Sequence, residues 1–212
     1  MQTPVVESLP VSVREVGAIA DQIRGWLKSE EGPLLYTLAG QVTAGVIVEI
    51  GSWMGKSTTW LAWGSKHAAL ISHNDPTPVY AIDHHTGSAE HRKKQSKIWT
   101  FDQFTLNIRA AGVEEVVRPI VKPSLDAVAG WTDPIGLIFI DGSHDYDNVK
   151  ADLDAWYPHV LPGGVVAFHD SLYHGYGVKR LITERVHGHP DFIRWARVQS
   201  ITYAVKAPRR TV

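Results

Sequence analysis

The sequence predicts an α/β protein with a doubly wound, mostly parallel sheet of seven strands that ends in an antiparallel hairpin. Three observations favour this fold. Short runs of β-branched and aliphatic residues alternate with segments of helical periodicity along the chain. A glycine turn joins the first of these runs to a helix, as is typical of a sheet with helices on both faces. The last two β-like runs follow each other closely, which indicates a hairpin.

The length and hydrophobic content predict a single domain. The chain has 212 residues, of which 44% are hydrophobic, enough for one sizeable core. We expect residues 1–212 to form one unit. Within it, residues 1–44 are expected to be N-terminal helices, 45–206 the α/β core and 207–212 a frayed tail.

Charge and cysteine content exclude several classes of protein. The 21 basic and 22 acidic residues give a formal net charge of −1, so nothing drives the chain toward nucleic acid or an anionic membrane surface. The lack of cysteine excludes disulfides, thiolate metal sites and a cysteine nucleophile, and makes the cytoplasm the default location. No apolar stretch reaches 18 residues, so we expect no membrane insertion.

The individual elements follow from periodicity and from turn residues. Apolar side chains at helical spacing predict a leading helix over 13–27, which Gly32 and Pro33 are expected to end, and a short helix over 34–42. The core strands are expected at 46–50, 79–82, 116–121, 137–140 and 165–168, with the hairpin at 192–198 and 201–205. The core helices are expected at 56–70, 98–111, from 124 onward, 149–160 and 177–186, the fourth of them ended by the turn 161–164.

The segment 84–97 combines several histidines and basic residues with no clear periodicity. It predicts a mobile loop. Such a loop could close over a ligand as a lid, or it could simply be a solvated basic surface.

The glycine turn after the first strand is the first candidate binding site. In residues 48–58 the chain runs from a strand through the turn into a helix, whose free amides and dipole suit an anionic group. Gly55-Lys56-Ser57 matches the end of a phosphate-binding P-loop, but that motif needs a glycine where the chain has Ile50. A dinucleotide-binding turn would need a glycine at Trp53. A nucleotide-dependent phosphotransferase therefore stays as an alternative.

An acidic residue, Asp83, closes the second predicted strand. This is the position at which a carboxylate binds the ribose of an adenosine ligand in related sheets. The other interpretation is a carboxylate that caps the loop after the strand.

A second group of polar residues follows the fourth and fifth strands. Asp141 and His144 come after one strand, and His169 and Asp170 end the other. Because the carboxyl ends of neighbouring parallel strands meet at one edge of the sheet, these four side chains should converge near the glycine turn. Two carboxylates and an imidazole with open positions suit Mg²⁺ or Mn²⁺ better than an enclosed structural zinc site.

The run Glu49-Ile50-Gly51, with Asp83 at the next strand end, resembles the cofactor site of class I S-adenosylmethionine-dependent methyltransferases. The resemblance implies the Rossmann-like fold of that family, and it places the segment 122–126 beside the adenine. The cofactor residues that it implies are Glu49, Gly51, Ser52, Ser57, Asp83, Ser124 and Asp141. Ser124 is also in position to be an ordinary helix N-cap.

At the fourth and fifth strands the chain resembles divalent-metal-dependent O-methyltransferases, including catechol-type and sugar-modifying members. The resemblance implies that Asp141, His169 and Asp170 bind Mg²⁺, for which Mn²⁺ can substitute. Those enzymes usually carry acidic or amide ligands after strand five, so His169 could instead orient a ligand. His144 lies where relatives place a basic catalytic residue and is expected to be the general base, with a helix-start or substrate-binding histidine as the alternative.

The acceptor of the methyl group is expected to be a hydroxylated small molecule or an oligosaccharide. Trp53 in the glycine turn, and Tyr173, His174 and Tyr176 after Asp170, are candidate acceptor-binding residues. The residues around the strand ends look most like those of bacterial carbohydrate-modifying methyltransferases, which implies a sugar hydroxyl, such as the 1-OH of a short 3-O-methylated mannoside. The resemblance also favours a homodimer. A non-catalytic S-adenosylmethionine-binding module is the remaining alternative.

Overall fold

The computed structural model describes residues 12–87, 98–175 and 177–208. In this part of the chain, seven strands form one sheet with the order β3-β2-β1-β4-β5-β7-β6. The strands are β1 (Val46–Ile50), β2 (Val79–Ile82), β3 (Val117–Ile120), β4 (Ile135–Ile140), β5 (Val160–Phe168), β6 (Phe192–Val198) and β7 (Ile201–Lys206). The first five strands pair in parallel, while β7 pairs antiparallel with both β5 and β6. The predicted fold class is confirmed.

Helices cover both faces of the sheet. They are α1 (Val13–Ala20), α2 (Glu31–Gly40), α3 (Lys56–Ser72), α4 (Phe101–Ala110), α5 (Ser124–Val128), α6 (Tyr146–Trp156) and α7 (Gly177–Arg185), with a 3-10 turn at Tyr157–His159. Successive strand residues point to opposite faces, so Ile47 joins the core under α1 to α4 and Val48 joins the core under α6 and α7. Among the helices described, none is both long and apolar enough to span a bilayer.

The register of the parallel strands aligns their carboxyl ends. Ile50 pairs with both Ile82 and Ile140, and Ile140 pairs with Phe168. Residues that directly follow these four positions therefore leave the sheet at the same level. This alignment brings the polar residues that follow the strands to one edge of the sheet.

The predicted N-terminal helix, 13–27, is longer than the helix observed. The observed α1 stops at Ala20, and residues 21–30 form turns and extended chain. Gly32 and Pro33 do not end a helix but lie in the first turn of α2, where a proline costs no helical hydrogen bond. Apolar spacing continued through 21–27 because Ile23 and Leu27 pack on the core without helical backbone.

Two further boundaries differ from the prediction. The turn expected at 161–164 lies inside β5, because Val160 pairs with Ile135 across an irregularity before regular pairing resumes at Leu137 and Val165. Helix α4 begins at Phe101, three residues later than expected. Of the predicted loop 84–97, residues 88–97 lie outside the described part of the chain.

Helices α2 and α3 approach each other closely at Gly64. A Cβ atom at this position would lie 2.2 Å from the carbonyl oxygen of Tyr36 and 3.0 Å from the Cβ of Ala39. The contact therefore depends on the absence of a side chain.

We expect Gly64→Ala to lower the free energy of unfolding by about 1–3 kcal/mol, because overpacking outweighs the gain of about 1 kcal/mol in helix propensity. Urea unfolding measures the change. Gly17→Ala in α1 is the matched control, because its Cβ would meet the Trp60 ring at an ordinary 3.5 Å. Equal stability of the two variants would contradict the packing argument.

Candidate active site

The glycine turn is pressed against the end of β4. Gly51 has φ +91°, and a Cβ there would lie 2.2 Å from the carbonyl oxygen of Asp141. Only glycine fits both the backbone conformation and this close approach. Gly55, with φ +92°, is the N-cap of α3. The turn thus places Gly51 against the first residue after β4, and α3 begins five residues further on.

Two buried polar atoms at the turn have no hydrogen-bond partner among the described residues. They are Oε1 of Glu49, at the end of β1, and Oγ of Ser52. The other oxygen of Glu49 accepts from the hydroxyl of Thr58, and Ser57 also bonds to the carboxylate. A buried group without a partner is costly, so these atoms mark a position for a polar ligand.

Burial, with a smaller contribution from the nearby carboxylates of Asp141 and Asp83, raises the pKa of Glu49 to about 8 against the hydrogen bonds from Ser57 and Thr58. A cation close to Glu49 would favour the ionised form of the side chain. The site therefore suits a ligand with an ammonium group.

Asp83 ties the turn to the end of β2. Its Oδ2 accepts from the backbone N of Trp53 at 2.8 Å, and its Oδ1 accepts from the backbone N of His85 at 2.6 Å. The carboxylate thus does cap local backbone, as the alternative interpretation held. Each oxygen retains a lone pair, so ribose binding stays a prediction.

Ser124 does not cap α5. The N-cap is Pro123, and the Ser124 hydroxyl accepts from Nε1 of Trp156 at 2.8 Å. The same hydroxyl bonds to Asp152, whose pKa is raised to about 6 by burial. The hydroxyl therefore joins α5 to α6, and adenine binding by Ser124 stays a prediction.

The acidic and histidine residues converge as the strand order requires. Asp141, His144 and Asp170 each place one potential metal-ligand atom within 4.8 Å of the others. Nε2 of His144 lies 2.9 Å from Oδ2 of Asp170. Asp170 has φ +53°, a left-handed conformation that turns the chain sharply after β5. Burial opposes ionisation of Asp170, but its contacts with His144 and His169 hold its pKa well below the usual range.

His169 lies behind these carboxylates. Its Nδ1 is 3.1 Å from Oδ1 of Asp141 and 3.4 Å from Oδ2 of Asp170, but none of these contacts has hydrogen-bond geometry within the described structure. Burial alone would lower the pKa of His169, but Asp141, Asp170 and Glu31 together raise it to about 12. The imidazole is surrounded by negative charge.

Sequence reasoning missed Glu31, a third acidic residue in contact with this cluster. The first turn of α2 buries it completely, and its Oε2 lies 3.2 Å from Nε2 of His169. Burial would raise the pKa of Glu31, but hydrogen bonds from His169, Lys28 and Ser200 lower it to about 2. An acidic residue in a first helical turn is usually solvent-exposed, so the pattern gave no signal.

Aromatic side chains lie around the turn and after β5. The rings of Trp26 and Trp53 are 5.9 Å apart, and Trp26 is 58% exposed. Tyr173 is 43% exposed, with Nζ of Lys28 5.2 Å from its ring centre. His174 and Tyr173 line a groove of 320 Å³. Tyr176 lies outside the described residues.

A family model described as a methyltransferase domain matches residues 48–171. The chain belongs to this methyltransferase family. The matched range begins in β1 and ends after Asp170, so it contains the glycine turn and the cluster residues Asp141, His144, His169 and Asp170. Glu31 and the aromatic residues after β5 lie outside it.

Individual relatives agree with the family assignment. The chain is 27% identical over 153 residues to a catechol O-methyltransferase of Mycobacterium tuberculosis, covering 72% of this chain and 59% of that protein. It spans less than two thirds of the length of each of the curated relatives reported as similar.

Several solved structures share the fold of this chain. The cofactor-bound protein Rv0187 from MTB has a TM-score of 0.66 at 20% identity, covering 92% of this chain and 88% of that one. An O-methyltransferase from Bacillus cereus in complex with SAH has a TM-score of 0.62 at 21% identity, covering 95% and 94%. At these identities the likeness concerns the fold, which is that of class I methyltransferases.

We expect Glu49→Gln to change the pH dependence of stability. Between the ordinary glutamate pKa near 4.5 and about 8, the folded protein holds a proton on Glu49 that the unfolded chain has released. The free energy of unfolding of the wild type should therefore fall relative to the variant as pH rises through this window, by at most about 1.4 kcal/mol per pH unit. Urea unfolding at pH 5 and pH 8 measures the difference, and parallel curves would contradict the buried, protonated state.

Proposed function

We propose that this chain is one methyltransferase domain that transfers a methyl group from S-adenosylmethionine to a sugar hydroxyl, assisted by Mg²⁺ or Mn²⁺. The observation that carries the proposal is the meeting of Asp141, Asp170 and two imidazoles beside the glycine turn at Gly51. The family match argues against the phosphotransferase interpretation of Gly55-Lys56-Ser57.

The turn fits the amino-acid end of S-adenosylmethionine. The unpartnered oxygen of buried Glu49 offers an acceptor for its ammonium group and a negative charge once the carboxyl group has lost its proton, and Ser52 offers a hydroxyl. The cofactor supplies an electrophilic methyl group on a sulfonium sulfur. Asp83 at the next strand end is the proposed ribose ligand.

The acidic cluster fits a hard divalent cation. Asp141 and Asp170 provide carboxylate oxygens, which Mg²⁺ and Mn²⁺ prefer, and Nδ1 of His169 faces both carboxylates. When bound, such a cation supplies Lewis acidity that makes an alcohol proton easier to remove. The ligand set proposed here is Asp141, His169 and Asp170.

His144 is the proposed general base. Its side chain is 25% exposed, against 5% for His169, so it is the imidazole that an acceptor can reach. It accepts the proton of the acceptor hydroxyl while the oxygen bonds to the methyl carbon and the carbon–sulfur bond breaks. Asp170, at 2.9 Å, stabilises the imidazolium that results. The proton then passes to solvent.

The proposal of a sugar acceptor draws on aromatic side chains that are close to the cluster in sequence. Trp53 lies in the glycine turn itself, and Tyr173 follows Asp170 by three residues. Their rings are the proposed contact surfaces for a sugar. The histidine-rich site resembles that of the mycobacterial 1-O-methyltransferase of methylmannose polysaccharide synthesis, from which we propose a 3-O-methylated mannoside as the acceptor. Homodimer formation and a cytoplasmic location stay predictions.

We expect His144→Gln to lower kcat for methyl transfer by about 10²- to 10⁴-fold with little change in the KM for S-adenosylmethionine, because the variant loses only proton transfer. Transfer of a labelled methyl group to a panel of mannosides measures both constants. His187→Gln, at an exposed position after α7, is the control and should retain activity. Full activity of the His144 variant would remove it as the base.

We expect wild-type activity to vanish in excess EDTA and to return with Mg²⁺ or Mn²⁺. Asp170→Asn should raise the Mg²⁺ concentration needed for half-maximal activity, because asparagine tolerates the left-handed backbone at φ +53° but lacks the charge. Activity measured against Mg²⁺ concentration tests this, and undiminished turnover in chelator would contradict metal dependence.

We expect Trp53→Ala to raise the KM for the acceptor more than it lowers kcat, because the variant loses a stacking surface and no reacting group. Steady-state kinetics at saturating S-adenosylmethionine measure the two constants. Trp195→Ala, the control, removes a more exposed indole from β6 and should leave both unchanged.

A further inference from the structure

Glu31 is held in one orientation by three segments of the chain. Its Oε1 accepts from the backbone N of Ser200 at 2.8 Å and from the Ser200 hydroxyl at 2.5 Å, and its Oε2 accepts from the backbone N of Lys28 at 2.7 Å. The side chain is 0% exposed. The carboxylate therefore cannot rotate away without leaving several buried donors unpartnered.

The remaining contact of Glu31 is with His169. Nε2 of His169 lies 3.2 Å from Oε2 of Glu31. An ionised carboxylate is only an acceptor, so Nε2 must be the donor and must carry a hydrogen. This assigns the proton on one side of the ring and leaves the other nitrogen, Nδ1, to interact with Asp141 and Asp170.

Nδ1 is the unusual atom of this cluster. It is buried and lies 3.1 Å and 3.4 Å from two carboxylate oxygens, at angles outside hydrogen-bond geometry. Three potential ligand atoms at these separations suit one cation, which would replace the proton that an imidazolium shares with Asp141 and Asp170. Histidine ligands of metals commonly donate their second N–H to a carboxylate in this way.

We propose that Glu31 is a positioning residue that fixes His169 as a metal ligand through Nδ1, by accepting the hydrogen of Nε2. This inference rests on the proposed binding of Mg²⁺ or Mn²⁺. It extends the metal site to a residue outside the range matched by the methyltransferase family model. Through this contact, helix α2 and the β6–β7 turn, which contains Ser200, take part in shaping the metal site.

Titration of the full chain with Mn²⁺ tests the role of Glu31. Binding is monitored by the loss of the EPR signal of free Mn²⁺. In Glu31→Gln the amide nitrogen cannot accept, so one of the donors around it loses its partner, and we expect the dissociation constant for Mn²⁺ to rise 10- to 100-fold. Ser200→Ala is the matched control: it removes a hydrogen bond from the same carboxylate without touching His169, and its Mn²⁺ affinity should change less than threefold. Calorimetric binding of S-adenosylhomocysteine should be the same in both variants.

Electron spin echo envelope modulation of bound Mn²⁺ identifies the nitrogen ligand of the metal directly. It does not require the Glu31 variant to fold. We expect ¹⁴N coupling from a coordinated imidazole in the wild type. It should persist in His144→Gln and disappear in His169→Asn. Loss in His144→Gln instead would assign the nitrogen ligand to His144 and overturn the inference.

The outcomes separate this inference from the proposed function. Tight Mn²⁺ binding by wild type and Glu31→Gln alike would overturn the role of Glu31 and leave metal-dependent methyl transfer standing. Absence of Mn²⁺ binding by the wild type would overturn both the proposed metal dependence and this inference. Methyl transfer itself would still be tested by the labelled-methyl assay.

Discussion

The parallel register of β1, β2, β4 and β5 is the constraint on which the rest of the structure depends. Because Ile50, Ile82, Ile140 and Phe168 lie level with one another, the residue after each one emerges at the same edge. A slip of one residue would turn every side chain to the other face. Gly51 locks this arrangement, since it permits the turn after β1 to touch the backbone at the end of β4. The glycine turn and the acidic cluster are thus neighbours for reasons of backbone geometry.

The edge of the sheet concentrates negative charge in a partly buried space. Glu49, Asp141, Asp170 and Glu31 meet there, and each carboxylate is compensated differently. Glu31 and Asp170 stay ionised through hydrogen bonds to histidines, whereas Glu49 is driven toward its neutral form by burial. Such divergence of pKa values among nearby carboxylates is typical of functional sites. Cationic ligands would relieve this charge, which is the physical basis of the proposed cofactor and metal.

The sequence was sufficient for the parts of the molecule governed by local pattern. Aliphatic runs identified the strands, and the polar residues that follow two of them identified Asp141, His144 and Asp170 as neighbours. It failed where tertiary packing overrides pattern. Apolar spacing through 21–27 continues without a helix, and 161–164 carries turn residues inside β5. Glu31 was undetectable because its burial follows from contacts with Ser200, 169 residues away, and not from its own neighbourhood.

The protonated state of Glu49 has a consequence for the thermodynamics of ligand entry. Near neutral pH, a ligand that presents an ammonium group to this carboxylate must displace a proton, so binding is an exchange of one cation for another. The observed heat of binding then includes the ionisation heat of the buffer that takes up the proton. Affinity for such a ligand increases as pH rises toward about 8, although the ligand's own charge is unchanged over most of that range. A single buried oxygen at the end of β1 thereby links occupancy of the site to the acidity of its surroundings.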